Sequence, residues 1–180
     1  MKQSIFLVAA VTFVALCARS GLAAPPGCHG REYRAFDFMI GTFTARSRGK
    51  VNGKAEVRRE LAGCTIRMHW TGRTYEGTNN NTYDATRMVW QKAWFDNTGG
   101  VELSEGRIVH GALVYKGNDY DGGKVVAMHQ ESWIPLRDGR ILERYEASDD
   151  RGRTWKPVFE TYYTRVSRAV YLAQRVVQDR

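Results

Sequence analysis

Turn-forming residues recur along this chain at short, even intervals: Arg48-Gly49, Asn52-Gly53, Ala62-Gly63, Asn79-Asn80-Asn81, Asn97 to Gly100, Glu105-Gly106, Gly117-Asn118, Asp121 to Gly123, Asp138-Gly139 and Asp150 to Gly152. The segments between them are rich in Val, Ile, Thr, Tyr, Phe and Trp, and several alternate with period two. Met88, Trp90, Lys92 and Trp94 share one face, and Val89, Gln91, Ala93 and Phe95 the other. Val125, Ala127, His129, Glu131 and Trp133 likewise alternate with Val126, Met128, Gln130 and Ser132. Consecutive strands joined by tight turns predict a meander, which removes its exposed edges by closing on itself. The expected fold is all-β, a single antiparallel up-and-down β-barrel of about 8–10 strands. The alternation leaves both parities open: Trp90 and Trp94 face the core, or Gln91 does. No repeat of fixed period supports a propeller. Only the tail changes period: Ala169, Leu172, Ala173, Val176 and Val177 recur at helical spacing opposite Arg168, Arg175 and Gln178. That pattern predicts a short, basic amphipathic helix within 167–180, packed on the outside of the barrel.

The first 24 residues read as a leader. Lys2 precedes an apolar run from Ile5 to Leu16, then small residues ending at Ala23-Ala24 before Pro25-Pro26. This is the layout of a cleavable signal peptide, and the run is shorter than the roughly 20 residues of a membrane span. Residues 25–166 are expected to form the one barrel domain, in a periplasmic or extracellular protein without stable membrane insertion. Of 27 Lys and Arg residues, Lys2 and Arg19 belong to the leader, so the remainder exceed the 19 acids by about six. Positive residues are interspersed with acids, which predicts a solvated surface and no nucleic-acid stripe. Cys28 and Cys64 survive cleavage and, in an oxidising compartment, are expected to form a disulfide worth about 3–4 kcal/mol.

The stretch SDDRGRTW, Ser148 to Trp155, resembles the sialidase signature S-x-D-x-G-x-T-W. A single copy cannot build a propeller, which needs about four or more blades. Between two strand-like segments it predicts a hairpin turn in which Ser148, Asp150, Gly152 and Trp155 are structural, with Trp155 folded back over the loop. Read together, REYRAFDFMIGTF (31–43), LAGCTIRMHW (61–70), WQKAWFDNTGG (90–100) and SDDRGRTWKPVFETYYTRV (148–166) resemble four blocks of a family of secreted bacterial proteins with a lipocalin-like (calycin) barrel. Met39, Phe43 and Arg151 depart from its FDFWxGxW and SxDGGxTW patterns. The resemblance implies a fold more strongly than a function. Gly41-Thr42-Phe43 is also similar to the lipocalin G-x-W start, which implies an aromatic ring plugging the barrel floor beneath a strand arginine, here Arg165.

A barrel of this size has room for one small ligand. Candidate ligand-binding residues are His69, Trp70, Trp90, Gln91, Trp94, His129, Glu131, Glu143 and Tyr163, with Lys92 a further polar strand residue. His29, His69, His110 and His129 lie on separate segments without zinc-site spacing, and neither a nucleophile elbow nor a phosphate-binding glycine loop is present. No metal or cofactor is expected, although a haem iron could take His69 or His129 as axial ligand. Glu131 and Glu143 could face one another across neighbouring strands and act as acid and base. The reading reached is an exported barrel that binds a small, partly apolar molecule. A small-molecule isomerase, cyclase or hydrolase, a haem-binding barrel, and a structural or interaction protein are the alternatives.

Overall fold

The computed structural model describes residues 27–174; the expected leader (1–24) and the tail positions 175–180 lie outside the described residues. Ten strands follow one another: β1 (Gly41–Ser47), β2 (Lys50–Glu60), β3 (Thr65–Gly72), β4 (Glu76–Asp84), β5 (Val89–Asp96), β6 (Val101–Val109), β7 (Ala112–Asp121), β8 (Lys124–Pro135), β9 (Ile141–Ser148) and β10 (Lys156–Arg165). Each pairs antiparallel with the next, and β1 returns to pair with β10, so the sheet is a closed up-and-down barrel.

Several turn signals fall inside strands instead. Gly53, Gly106 and Gly117 lie within β2, β6 and β7, and Asn79 to Asn81 within β4. The cause is steric for all three of these glycines: a Cβ at Gly53 would run into the Trp70 ring. Gly106 stands opposite Tyr115 and Gly117 opposite His129, and a Cβ at either position would run into the facing ring. Glycine here makes space for an inward aromatic ring and does not mark a bend. The β3–β4, β4–β5 and β6–β7 connections form without any signal singled out in the sequence.

One end of the barrel is plugged by the segment ahead of β1. A helical turn, α1 (Arg31–Arg34), and a 3-10 turn, Asp37–Met39, carry Phe36 and Met39 into the apolar core. The Phe36 ring centre lies 6.0 Å from those of both Trp90 and Trp133. The Cys28–Cys64 disulfide ties this segment to the β2–β3 connection. Arg59 reinforces the tie, pairing with Asp37 and donating to the Gly63 carbonyl at 2.7 Å. Arg165 lies 4.8 Å from the centre of the fully buried Phe43 ring and donates to the Phe38 carbonyl at 3.0 Å and to that of Ile40, so the floor contact expected of Phe43 and Arg165 is present.

The C-terminal helix, α2 (Arg168–Ala173), rests on the outside of the barrel, but not on the face expected. Ala169 and Leu172 are exposed, and Tyr171 is the buried residue. Its ring lies 4.7 Å from Lys54 Nζ, which donates to the carbonyls of Tyr171 (3.2 Å) and Gln174 (2.9 Å). In a helix of six residues, one aromatic anchor with a lysine fastening its C-terminal carbonyls outweighs a diffuse apolar stripe.

The SDDRGRTW stretch forms the β9–β10 hairpin tip at the open end. Ser148 Oγ donates to Asp150 Oδ1 at 2.8 Å, and Asp150 Oδ1 accepts the backbone N–H groups of Arg153 and Thr154, each at 2.9 Å. Gly152 takes φ 79° and Arg151 φ 63°, both left-handed, where the resembling pattern carries glycine at each position. Trp155 folds back against Gly152 and receives Lys116 Nζ 5.2 Å from its ring centre. The backbone N–H of Thr154, the Thr154 hydroxyl and the Ser148 hydroxyl hold the Asp150 carboxyl at about 2, below the ordinary 3.8. The stabilisation is present above the ordinary aspartate range and is lost as pH falls through about 2. Asp150→Ala should therefore lower the melting temperature at pH 7, by a margin that shrinks as thermal melts are repeated from pH 4 towards pH 2.

Candidate functional site

The open half of the barrel encloses a cavity of about 340 Å³. In β5 the even parity points inward: Trp90 sits in the apolar floor, Lys92 in the middle and Trp94 on the cavity wall. The choice left open by alternation is thereby settled, and Gln91 lies outside, donating to Glu105 at 3.3 Å. His69 also lies outside, 2.8 Å from Glu76 and with a 40 % exposed side chain. Trp70, Trp94, Glu131, Glu143 and Tyr163 all line the cavity. Met88, grouped by alternation with Trp90, Lys92 and Trp94, precedes β5 and is exposed.

Aromatic rings form the walls. Tyr75 stands edge-on to Trp94 with ring centres 6.0 Å apart, and Tyr145 stacks on Phe159 at 5.1 Å. The Trp94 ring is fixed from the loop, since its Nε1 donates to Asp96 Oδ2 at 3.0 Å. Asp96 in turn accepts the N–H groups of Thr98 and Gly100, at 2.9 and 3.0 Å. The DNTGG turn that follows β5 thus sets the orientation of a cavity wall.

Beneath the rings lies a connected set of ionisable groups. Lys92 Nζ donates to Glu102 Oε1 at 2.6 Å and to Glu131 Oε2 at 2.5 Å, with only 3 % of its side chain exposed. Glu143 hydrogen-bonds to Glu131, and the Tyr163 hydroxyl donates to Glu143 Oε2 at 2.8 Å. The two carboxyls suggested by the sequence do meet, reached diagonally from β8 and β9: Glu131 stands opposite Tyr145, and Glu143 opposite Trp133. On the other side, Glu102 accepts from the Tyr145 hydroxyl at 3.3 Å. His129 Nε2 lies 3.3 Å from Glu102 Oε1 but off the line of a hydrogen bond, a charge contact only. His129 Nδ1 lies 2.7 Å from Asp119 Oδ1, a carboxylate that can only accept, so this nitrogen carries a proton. Both nitrogens of His129 therefore face carboxylates. Among the described residues no group of three or more His, Cys, Asp and Glu side chains is arranged to hold a metal ion.

These contacts set the protonation states. Burial alone would depress Lys92, but Glu131 and Glu102 outweigh it and keep the ammonium charged. Burial would raise Glu102, yet His129 and Lys92 bring it down to about 2. His129 is disfavoured as a cation by burial and is carried above its ordinary value by Glu102 and Asp119. Glu143 goes the other way: burial, then the charge of Glu131, push it well above the ordinary 4.5 despite the hydrogen bond from Tyr163. Of the carboxyls in the set it is the one that favours the protonated form.

Some buried polar atoms of the cavity-lining residues have no partner in the protein. Among the described residues these include Asn79 Oδ1, Asn52 Oδ1 and Trp70 Nε1. Asn81, the next inward residue on β4, contrasts with them: it accepts from the Tyr115 hydroxyl at 2.8 Å and donates to the Ile66 carbonyl at 3.1 Å. Buried polar atoms are ordinarily paired, so these are exceptions that cluster on residues around the cavity. Glu102, Tyr75, Tyr145 and Asn79 were not among the sequence candidates. Strict alternation from Trp70 or Lys92 across the paired strands is the signal that reaches Asn79 and Glu102.

No family model and no curated protein matches this chain.

Two outcomes follow from this charge arrangement. Lys92→Met strands Glu102 and Glu131 without their cation and should cost about 3–5 kcal/mol in urea unfolding, with part recovered by adding Glu131→Gln. Glu143 holds in the folded state a proton that the unfolded chain releases above about pH 4.5. Its contribution to stability therefore falls as pH rises from there. Glu143→Gln should raise the melting temperature at pH 7 more than at pH 4.

Proposed function

We propose that this protein is an exported barrel that binds one small, partly apolar molecule in the cavity at its open end. The observation that carries this reading is the cavity itself: about 340 Å³, walled by Trp70, Trp94, Tyr75 and Tyr145, with Asn79 Oδ1 and Trp70 Nε1 lacking protein partners. Ligand sites combine apolar walls with a few placed polar groups in this way, and the volume lies in the usual range for small-molecule pockets. The leader pattern of residues 1–24 and the disulfide support export. No helix among the described residues is long and apolar enough to cross a membrane. The four-block resemblance to secreted lipocalin-like barrels is consistent with the same reading.

Protein purified from the compartment to which its host exports it is expected to carry a bound small molecule in native mass spectrometry. Trp94→Ala should weaken binding of that molecule about tenfold or more, the usual effect of removing a central aromatic anchor. Its melting temperature should also fall, because Trp94 is partly buried against the core, so the binding loss is read by titrating the folded variant. Repeated preparations free of bound mass would overturn the proposal.

A further inference from the structure

The chain is basic overall, with a formal charge of +8, yet its cavity is acidic. Glu102, Glu131 and Glu143 line it against one lysine, Lys92. Lys92 is already committed, its ammonium bridging Glu102 and Glu131 at 2.6 and 2.5 Å. Among the described residues no ion pair joins Glu143 to a Lys, Arg or His; its contacts are the Tyr163 hydroxyl and Glu131. The unpaired Asn79 Oδ1 and Asn52 Oδ1 are acceptors as well, and Asn79 is only 1 % exposed. The surrounding surface is made of aromatic faces, which attract cations through the ring quadrupole.

An acceptor-rich, aromatic-walled cavity discriminates by charge. An anion entering it meets two carboxylates and a lysine with no free charge to offer. A neutral molecule meets unpaired acceptors and leaves Glu143 as it stands. A cation finds a counter-ion in Glu143, acceptors for its N–H groups and rings for its apolar part. We infer that the ligand is a small organic ammonium ion with an aromatic or otherwise flat body, for which Glu143 is the counter-ion and Trp70 and Trp94 are the walls. This inference rests on the binding function proposed above and names the class of molecule bound.

Proton release accompanies such binding. Without ligand, Glu143 faces Glu131 from β8, Tyr163 from β10, Lys92 from β5 and Tyr75 from the β3–β4 connection, with Glu102 and His129 beyond Lys92. In that company Glu143 is protonated. An arriving ammonium favours the carboxylate, and the displaced proton leaves to solvent.

The test uses 2-phenylethylammonium, its neutral isostere 2-phenylethanol and the anion 3-phenylpropanoate, titrated calorimetrically into the full-length mature protein in phosphate and in Tris at pH 7. The ammonium is expected to bind at least tenfold more tightly than the alcohol, with the anion weakest. Its heat should differ between the two buffers, as release of a proton requires. Glu143→Gln, which retains the hydrogen-bonding shape of the protonated carboxyl, should abolish the preference for the ammonium over the alcohol and the buffer dependence. Alcohol binding as tight as the ammonium, or a stronger anion, would overturn the ammonium assignment and leave small-molecule binding standing. No binding by any of the three counts against the assignment, and an empty protein from native purification then sinks both. Because the isostere series is measured on the wild-type protein, the result does not depend on how any variant folds.

Discussion

Pairing of β1 with β10, from Phe43 opposite Arg165 to Arg46 opposite Tyr162, gives every other feature of this protein its meaning. Without it the ten strands are a sheet with two open edges and no inside. With it, alternate side chains of every strand are committed to one enclosed space, and a polar residue of inward parity must find its partners there. Arg165 joins closure to the floor: it sits on the strand that completes the sheet, covers the Phe43 ring and fastens the carbonyls of the plug segment.

The enclosed space is divided by chemistry. At the plugged end, Phe36, Met39, Phe43, Leu113 and Trp133 form an apolar layer. Above it, ionic groups that would be ruinous singly are held in a connected set. Glu143 favours the neutral form, Lys92 is shared by Glu102 and Glu131, and His129 lies between that same Glu102 and Asp119. Replacing such a set with apolar residues is often neutral or stabilising, so retaining it is poorly explained by stability alone. Its position along the cavity, beside amide oxygens left without partners, is accounted for by the binding function proposed above.

The barrel was legible because turn chemistry and period-two patterning agree over most of the chain, and because both survive without knowledge of partners. Glycine was the ambiguous letter. Gly106 and Gly117 have the same appearance in sequence as a turn glycine, and only the ring facing each one separates the two uses. The site was half legible. Trp70, Trp94, Glu131, Glu143 and Tyr163 stood out as large or ionisable residues on strands, and they meet at the cavity. His69 and Gln91 look equally suitable, but their parity sends them outward. Glu102 was hidden by inversion: in β6 the apolar Val101 and Leu103 are exposed while Glu102 and Ser104 turn inward. Hydrophobicity would reverse that strand, and the registers with Trp94 and Lys92 on β5 are what place it.

The plug gives the barrel a direction. With Phe36 and Met39 seated in the core and the Cys28–Cys64 bond fastening their segment, one end is closed by covalent as well as apolar contacts. Among the described residues the cavity is therefore a cup that opens at the end framed by the hairpin tips that follow β1, β3, β5, β7 and β9. Anything bound must leave by the way it came. Residence time then belongs to those tips, to side chains such as Ser47, Tyr75 and Phe159 and to the turn that steadies Trp94, whereas the fold's endurance is secured at the opposite end. On the binding function proposed above, changes at the rim alter exchange without disturbing the base that keeps the barrel shut.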